Sequence, residues 1–297
     1  MSGKSGEKRT QNSTIKVRLY PTPEQAALLD RTFESCRWLW NAILADEQEF
    51  YAATGEHFLP TPARYKKEAP FLKDVDSQAL VTVHQNLRRA FQDFFDGKRG
   101  YPQRKRPGSR DAFTTYCHHY EKWPSSIRLT QNAVHLPKLG DVKAKLHRRP
   151  PHRWLLKSAT VTREPSGKYY CSLLYAYEAR KPAPVVPAPE NIGAVDGPAP
   201  VTPQQKKAEE KLLRMERKLS HMLPGSNRYE AQSQRIRVQR EHIANQRRDA
   251  AHKESRRLAD AYDAVRFEGG SAQLREKLGY KLARQGKSLI EDPQSSH

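Results

Sequence analysis

The sequence predicts an α+β chain: a small β-barrel of short strands interrupted by an inserted helical region, then a smaller α/β half built around a long helical hairpin. Three observations predict it. Apolar residues recur at helical spacing before residue 96 and at strand alternation between Phe113 and Tyr177. Residues 181–190, Lys-Pro-Ala-Pro-Val-Val-Pro-Ala-Pro-Glu, form a Pro-rich linker in extended conformation. Beyond it two apolar runs, Ile192–Asp196 and Ala264–Glu268, flank helical sequence and each end in a carboxylate.

Taken in order, residues 1–13 are polar and read as flexible, and Thr14–Tyr20 alternates apolar and basic residues as a strand with one buried face. Thr22, Pro23 and Gln25 predict a capped helix start. Leu28, Leu29, Phe33, Cys36, Leu39, Trp40 and Ile43 continue that helix to about Tyr51. A second amphipathic helix is expected from Asp76 or Ser77, with Ser77 as its cap, to Phe95; His84 lies in its apolar stripe as a core histidine. The helical insertion thus covers about 22–96. Residues 97–110 follow as an irregular loop with six basic residues and no acid. Its Lys98, Arg99, Arg104, Lys105, Arg106 and Arg110 are candidate phosphate contacts, and Tyr101 a candidate stacking ring.

Strands are expected at 126–129, 133–136 and 141–146, with a hairpin of 155–163 and 168–177 around Pro165-Ser-Gly167. The strand at 14–20 joins them, placing Lys16 and Arg18 on the outer face. The second half reads as helix 202–222, a break at Leu223-Pro-Gly225, and helix from Ser226 to about Ala261. Fifteen basic residues against seven acidic between Lys206 and Arg257 give this hairpin a positive face, with Arg247 and Arg248 as candidate contacts.

Charge bounds the partner. Fifty-three Lys and Arg against thirty-three Asp and Glu give +20, far beyond what solubility needs, and imply a polyanion such as nucleic acid. A solvated hairpin with mixed charges stays the competing explanation for the second half. Cys36, Cys117 and Cys171 are too few and too scattered for a disulfide framework or a four-cysteine zinc site, and Cys117-His118-His119 cannot all face one ion from a strand. No apolar stretch is long enough to span a bilayer, so no membrane partner and a cytoplasmic location are expected.

Strand-end carboxylates in a basic chain suit a divalent-metal nuclease, in which acids from separate elements converge. Glu268 and Asp196 are the candidates. Several phrases carry a wider resemblance: Lys16-Val-Arg-Leu-Tyr-Pro-Thr-Pro-Glu-Gln25, Cys36-Arg-Trp-Leu-Trp-Asn41, Leu136-Pro-Lys-Leu-Gly140, Leu212–Ser220 with Gly225-Ser226, His242–Asp249 leading to His252-Lys253, Leu258–Glu268 and Gly279-Tyr-Lys281. Their words and order resemble the TnpB family, the transposon-encoded RNA-guided endonucleases of IS200/IS605-type elements and relatives of the Cas12 effectors.

The resemblance implies a wedge-type β-barrel with an inserted helical recognition region over 14–180. It implies a shortened RNase H-like domain over 191–297, a structured guide RNA and a double-stranded DNA target read through RNA pairing. Glu268 falls on the family's catalytic glutamate. Asp196 aligns either with the catalytic aspartate or, after a deletion, with the acid of a later Asp-Gly turn, the alignment the phrase Ala194-Val-Asp-Gly197 favours. Only Glu291 and Asp292 remain as a further acid, in an apparent tail. The family's third aspartate and paired-cysteine zinc motif would lie beyond His297. The expectation is therefore an RNA-guided DNA-binding protein without cleavage activity and without a zinc site. The alternatives are a minimal endonuclease using Mg2+ held by Asp196 and Glu268, and a non-specific basic binder or transposon relic.

Overall fold

A computed structural model describes residues 8–107, 111–119 and 124–291. They divide into two compact units, Thr10–Tyr177 and a second running from Glu178 onward with Lys8 and Arg9.

In the first unit β1 (Lys8–Tyr20) leads into α1 (Pro23–Thr54). The start of α1 is the reciprocal cap the sequence predicts: the Gln25 N–H donates to the Thr22 hydroxyl at 3.3 Å, and the Thr22 N–H to the Gln25 side-chain oxygen at 3.1 Å. Gly55, at φ +74°, ends the helix. A short α2 (Pro62–Glu68), not expected, precedes α3 (Ser77–Phe95). Its cap is Asp76 and not Ser77: the Asp76 carboxylate accepts from the Gln78 N–H at 3.1 Å, a charge-assisted bond that also complements the helix dipole.

The strands β2 (Asp111–Tyr116), β3 (Arg128–Leu129), β4 (Ala133–Leu136), β5 (Gly140–Lys145), β6 (Leu155–Arg163) and β7 (Tyr169–Arg180) complete a seven-stranded sheet ordered β2-β6-β7-β1-β5-β4-β3. Ile15, Val17 and Leu19 of β1 meet Leu29, Leu39 and Ile43 of α1 and Leu80 and Leu87 of α3 in its core. Two expectations change. Among the described residues the sheet stays open where a barrel was expected, since β2 and β3 end it without pairing and β3 offers only two residues. The supposedly flexible start is strand from Lys8, where the Tyr177 hydroxyl donates to the Gln11 side chain at 3.0 Å; its polar residues carried no apolar alternation to reveal it.

In the second unit β8 (Ile192–Asp196) is followed by α4 (Pro203–Ser220), α5 (Asn227–Ala261), β9 (Ala264–Gly269), α6 (Ala272–Arg284) and β10 (Ser288–Glu291). The sheet order is β10-β9-β8 and both pairings are parallel, as helical crossovers require. Val195, Val265 and Phe267 pack one face against Leu258, Ala259, Leu274, Leu278 and Leu282. A Cβ on Gly193 would lie 2.5 Å from the Tyr262 ring, so only glycine lets β8 pass beneath it.

The hairpin α4–α5 agrees with its expected bounds. Ile236, Ile243 and Leu258 of α5 are buried while Leu213 and Val238 are exposed, and polar bonds tie the helices as well. Gln232 and Gln239 amides donate to the carbonyls of Met215 and Ala208 at 3.0 and 2.9 Å. The apparent tail is ordered as α6 and β10. The Pro-rich stretch is no free linker either: the Val185 N–H donates to the Gly286 carbonyl at 2.8 Å.

Candidate functional site

Asp196 closes β8 and Glu268 is the penultimate residue of β9, the neighbouring parallel strand. Val195 and Phe267 are in register and buried, so strand alternation sends Asp196 and Glu268 to the opposite, open face. Both acids therefore stand at the C-terminal ends of adjacent parallel strands, where α/β sheets place ligands. Asp196 closes its strand, and the chain bends at Gly197 directly after it.

Gly269 and Gly270 serve the close approach of the two strand ends. A Cβ on Gly269 would lie 2.6 Å from the Asp196 carbonyl oxygen, and one on Gly270, at φ +132°, 2.8 Å from that of Gly197. The glycines let chain approach chain and not ligand. The pairing shifts there, so that Asp196 faces Gly269 and Glu268 is left beside it. Gly269→Ala is expected to cost about 1–3 kcal/mol by forcing the strand ends apart. A thermal melt of the second unit indistinguishable from that of the unsubstituted chain would contradict this.

Arg266 shares the open face, its Nη1 3.8 Å from the Glu268 carboxylate. Glu291 does not join them. It is in register with Phe267 on the other face of the sheet, and Arg275 of α6 donates to it through Nε at 2.7 Å. That bond holds the Glu291 carboxyl below the usual carboxylate range. Asp292 and Arg110 lie outside the described residues. Two carboxylates on one open face fit a single hard divalent cation with water completing its shell. They do not fit a two-ion centre, and among the described residues no group of three ligating side chains forms.

The basic candidates differ in how free they are. Lys16 lies over the Tyr170 ring and donates to Glu164 at 3.1 Å, and Arg18 covers the Tyr20 ring. Lys98 pairs with Asp96 at 2.7 Å and Arg99 with Asp93 at 3.7 Å, whereas Arg104 is exposed. Lys105 rests 4.0 Å from the Trp40 ring centroid, and burial lowers its pKa. Its backbone is held by the Asn41 amide at 2.8 and 2.9 Å.

Tyr101 is not a stacking platform. Its ring packs edge-on against Phe91 and Phe94, and its hydroxyl donates to the buried Glu47 at 2.8 Å. In the hairpin Arg247 pairs with Glu209 at 2.7 Å, and Arg248 donates to Asn245 at 3.1 Å. The loop is thus clamped to α1, and several of the hairpin's cations, Arg240, Arg247 and Arg257 among them, are paired within the hairpin.

Two family models match the chain. One, described as a helix-turn-helix domain of the IS605 OrfB type, covers residues 11–56, which fold here as β1 and α1. The other, described as "Probable transposase" of the same type, covers residues 200–269, from the hairpin to the Glu268 strand. InsQ of Escherichia coli (strain K12), named as a candidate RNA-guided DNA endonuclease, is 30% identical over 261 residues. Both matches and this relative are similar to the chain in the way the TnpB resemblance implies.

The chain aligns with InsQ over 80% of its own length and spans 61% of the InsQ length. A second relative, from Streptomyces pristinaespiralis and also named as a candidate RNA-guided DNA endonuclease, is 27% identical over 93% of the chain and 76% of its own length. Among solved structures, Cas12f1 in a complex with guide RNA and target DNA shares the fold at a TM-score of 0.53. The match covers 95% of this chain and 89% of Cas12f1 at 10% identity. Among the described residues no helix is long and apolar enough to cross a membrane.

Proposed function

We propose that this chain is an RNA-guided DNA-binding protein of the TnpB type that holds a structured guide RNA and a double-stranded DNA target without cutting the DNA. The likeness to the TnpB family supports the two partners, and the names of both relatives agree with them. In this reading the first unit is a wedge and recognition region over 14–180. The second, over 191–297, is a shortened RNase H-like domain, for which the parallel order β10-β9-β8 with helical crossovers speaks.

One observation carries the loss of cleavage. The open face of β8 and β9 brings together Asp196, Glu268 and the cation of Arg266, while Glu291 is turned away and bonded to Arg275. In-line hydrolysis of a phosphodiester requires charge stabilisation on both the attacking and the leaving oxygen. Two carboxylates with a guanidinium among them supply a weak cation site, and Arg266 competes for it.

A second reading has its own support. Asp196 and Glu268 share a face at adjacent strand ends, as metal-binding acids of a nuclease would, and Mg2+ held there would activate water. The experiment is purification with co-expressed RNA, sequencing of what is retained, and a target-duplex assay with Mg2+. A discrete structured RNA, duplex binding and an uncut target are expected, with Glu268→Gln indistinguishable from the parent. Mg2+-dependent cleavage abolished by Glu268→Gln would establish the second reading instead. Recovery of only heterogeneous RNA would leave a non-specific binder.

A further inference from the structure

The outer face of the first unit's sheet carries a basic recess lined by none of the sequence candidates, with Arg18 beside it through its pairing with Lys145. The β1–β5 register sets Arg18 opposite Lys145 and Tyr20 opposite Lys143. The intervening pair, Leu19 and Ala144, is buried, so these four side chains share the outer face. Past Lys145 the chain leaves the strand and carries Arg148 and Arg149 to the rim of the same recess, about 640 Å³ in volume. Gln131 and Asn132 close its other side. The Asn132 carbonyl accepts from the Ala144 N–H at 2.8 Å, fixing that turn to β5.

The charge there is unmatched. Elsewhere the described arginines and lysines are repeatedly paired, as Arg240 with Glu216, Arg247 with Glu209, Arg256 with Asp260 and Arg275 with Glu291. Among the described residues Lys143, Lys145, Arg148 and Arg149 pair with no carboxylate, and the acid of β5, Asp141, is engaged by His135 at 2.6 Å. Four like charges gathered around one concavity repel one another, and a bound polyanion offsets that cost. The remaining lining is suited to a nucleotide. Tyr20 is 40% exposed with the Arg18 guanidinium 4.8 Å from its ring centroid, and the Arg18 Nε is buried without a partner. An exposed ring stacks on a base or sugar, and carboxamides can bond a base edge.

We propose that this recess is a nucleic-acid site in which Lys143, Lys145, Arg148 and Arg149 take successive phosphates of one strand and Tyr20 supports a base beside Gln131 and Asn132. The proposal deepens the nucleic-acid reading given above and rests on it. The phosphodiester chemistry is common to the guide RNA and to a strand of the DNA target.

The test uses the full chain with short single-stranded probes, RNA carrying 4-thiouridine and DNA carrying 4-thiothymidine, in binding titrations over a salt series and in photocrosslinking with peptide mapping. Neutralising all four cations to glutamine is expected to reduce the magnitude of the log Kobs against log salt slope by roughly 3, the loss of about four phosphate contacts. Arg247→Gln with Arg248→Gln is expected to leave more of the slope intact. Crosslinks in the unsubstituted chain should map to Tyr20, 131–132 or 143–149, whatever the fourfold variant's folding. Crosslinks to the RNA probe assign the site to the guide, and crosslinks to the DNA probe assign it to the target. An unchanged slope with crosslinks mapping elsewhere overturns the site while leaving the nucleic-acid reading intact. No binding of either probe by the unsubstituted chain overturns both.

Discussion

Leu278→Ala is expected to destabilise the second unit by about 2–5 kcal/mol. Leu278 is fully buried in a small core, where it meets α6 neighbours Leu274 and Leu282 and the strand residues Val265 and Phe267. Truncation removes its transfer free energy and leaves a cavity that three short strands and their covering helices can close only in part. A unit of this size holds about 5–15 kcal/mol in total, so the loss is a large share. The first unit has a separate and larger core, from Ile15 to Tyr175. Hydrogen exchange read peptide by peptide should therefore accelerate across β9, α6 and β10 while α1, α3 and β6 keep their protection. Equal acceleration in both units would sink the idea that their cores are energetically separate.

Glu47→Ala should act on the first unit with comparable force and a different signature. The Glu47 side chain is 1% exposed in the middle of α1, with His57 Nδ1 at 2.6 Å and the Tyr101 hydroxyl at 2.8 Å. His57 is stacked on Tyr51 and set against Phe95, so the carboxylate ties the end of the helical region and the start of the basic loop into one aromatic cluster. Removing it strands two polar groups at about 1–3 kcal/mol each.

The visible result should be a lowered Tm together with faster trypsin cleavage at Lys98, Arg99, Arg104 and Lys105. Tyr101→Phe deletes one bond and keeps the His57 contact, so a loss of about 1 kcal/mol is expected. If trypsin cleaves the loop of Glu47→Ala no faster than that of the parent, the loop is held by Trp40 and Asn41 alone.

The legibility of these features in the sequence follows their physics. The cap at Thr22 was readable because a helix start needs a local side-chain acceptor, and a local need leaves a local trace, while at Asp76-Ser77 two adjacent acceptors competed and the carboxylate won. The alternation of β1 was readable only from Thr14, where one face becomes apolar. The strand β10 and helix α6 were missed although Ser271 caps that helix and Leu274, Leu278 and Leu282 recur every fourth residue.

The candidate site was half legible. Two strand-end acids could be named, but their shared face depends on a parallel register and a bulge that no local pattern encodes. The basic loop misled for the opposite reason. Its composition announced exposure, while the hydroxyl of Tyr101 and the backbone of Lys105 had partners more than fifty residues away on α1. Lys143, Lys145, Arg148 and Arg149 were overlooked because strand alternation and a turn disperse them along the chain; only the fold gathers them.

The parallel sheet also dictates an order of events as the chain folds. Ile192 pairs with Ala264, seventy-two residues later, and pairing at such separation must first meet the entropy of closing a long loop. The intervening hairpin shortens that loop by forming on its own terms, since α4 and α5 are neighbours in sequence and are zipped by glutamine-to-carbonyl bonds and the Arg240–Glu216 pair. Strand β8 can pair only where α5 delivers β9 to it, so the two carboxylates come to share a face only once that long loop is closed.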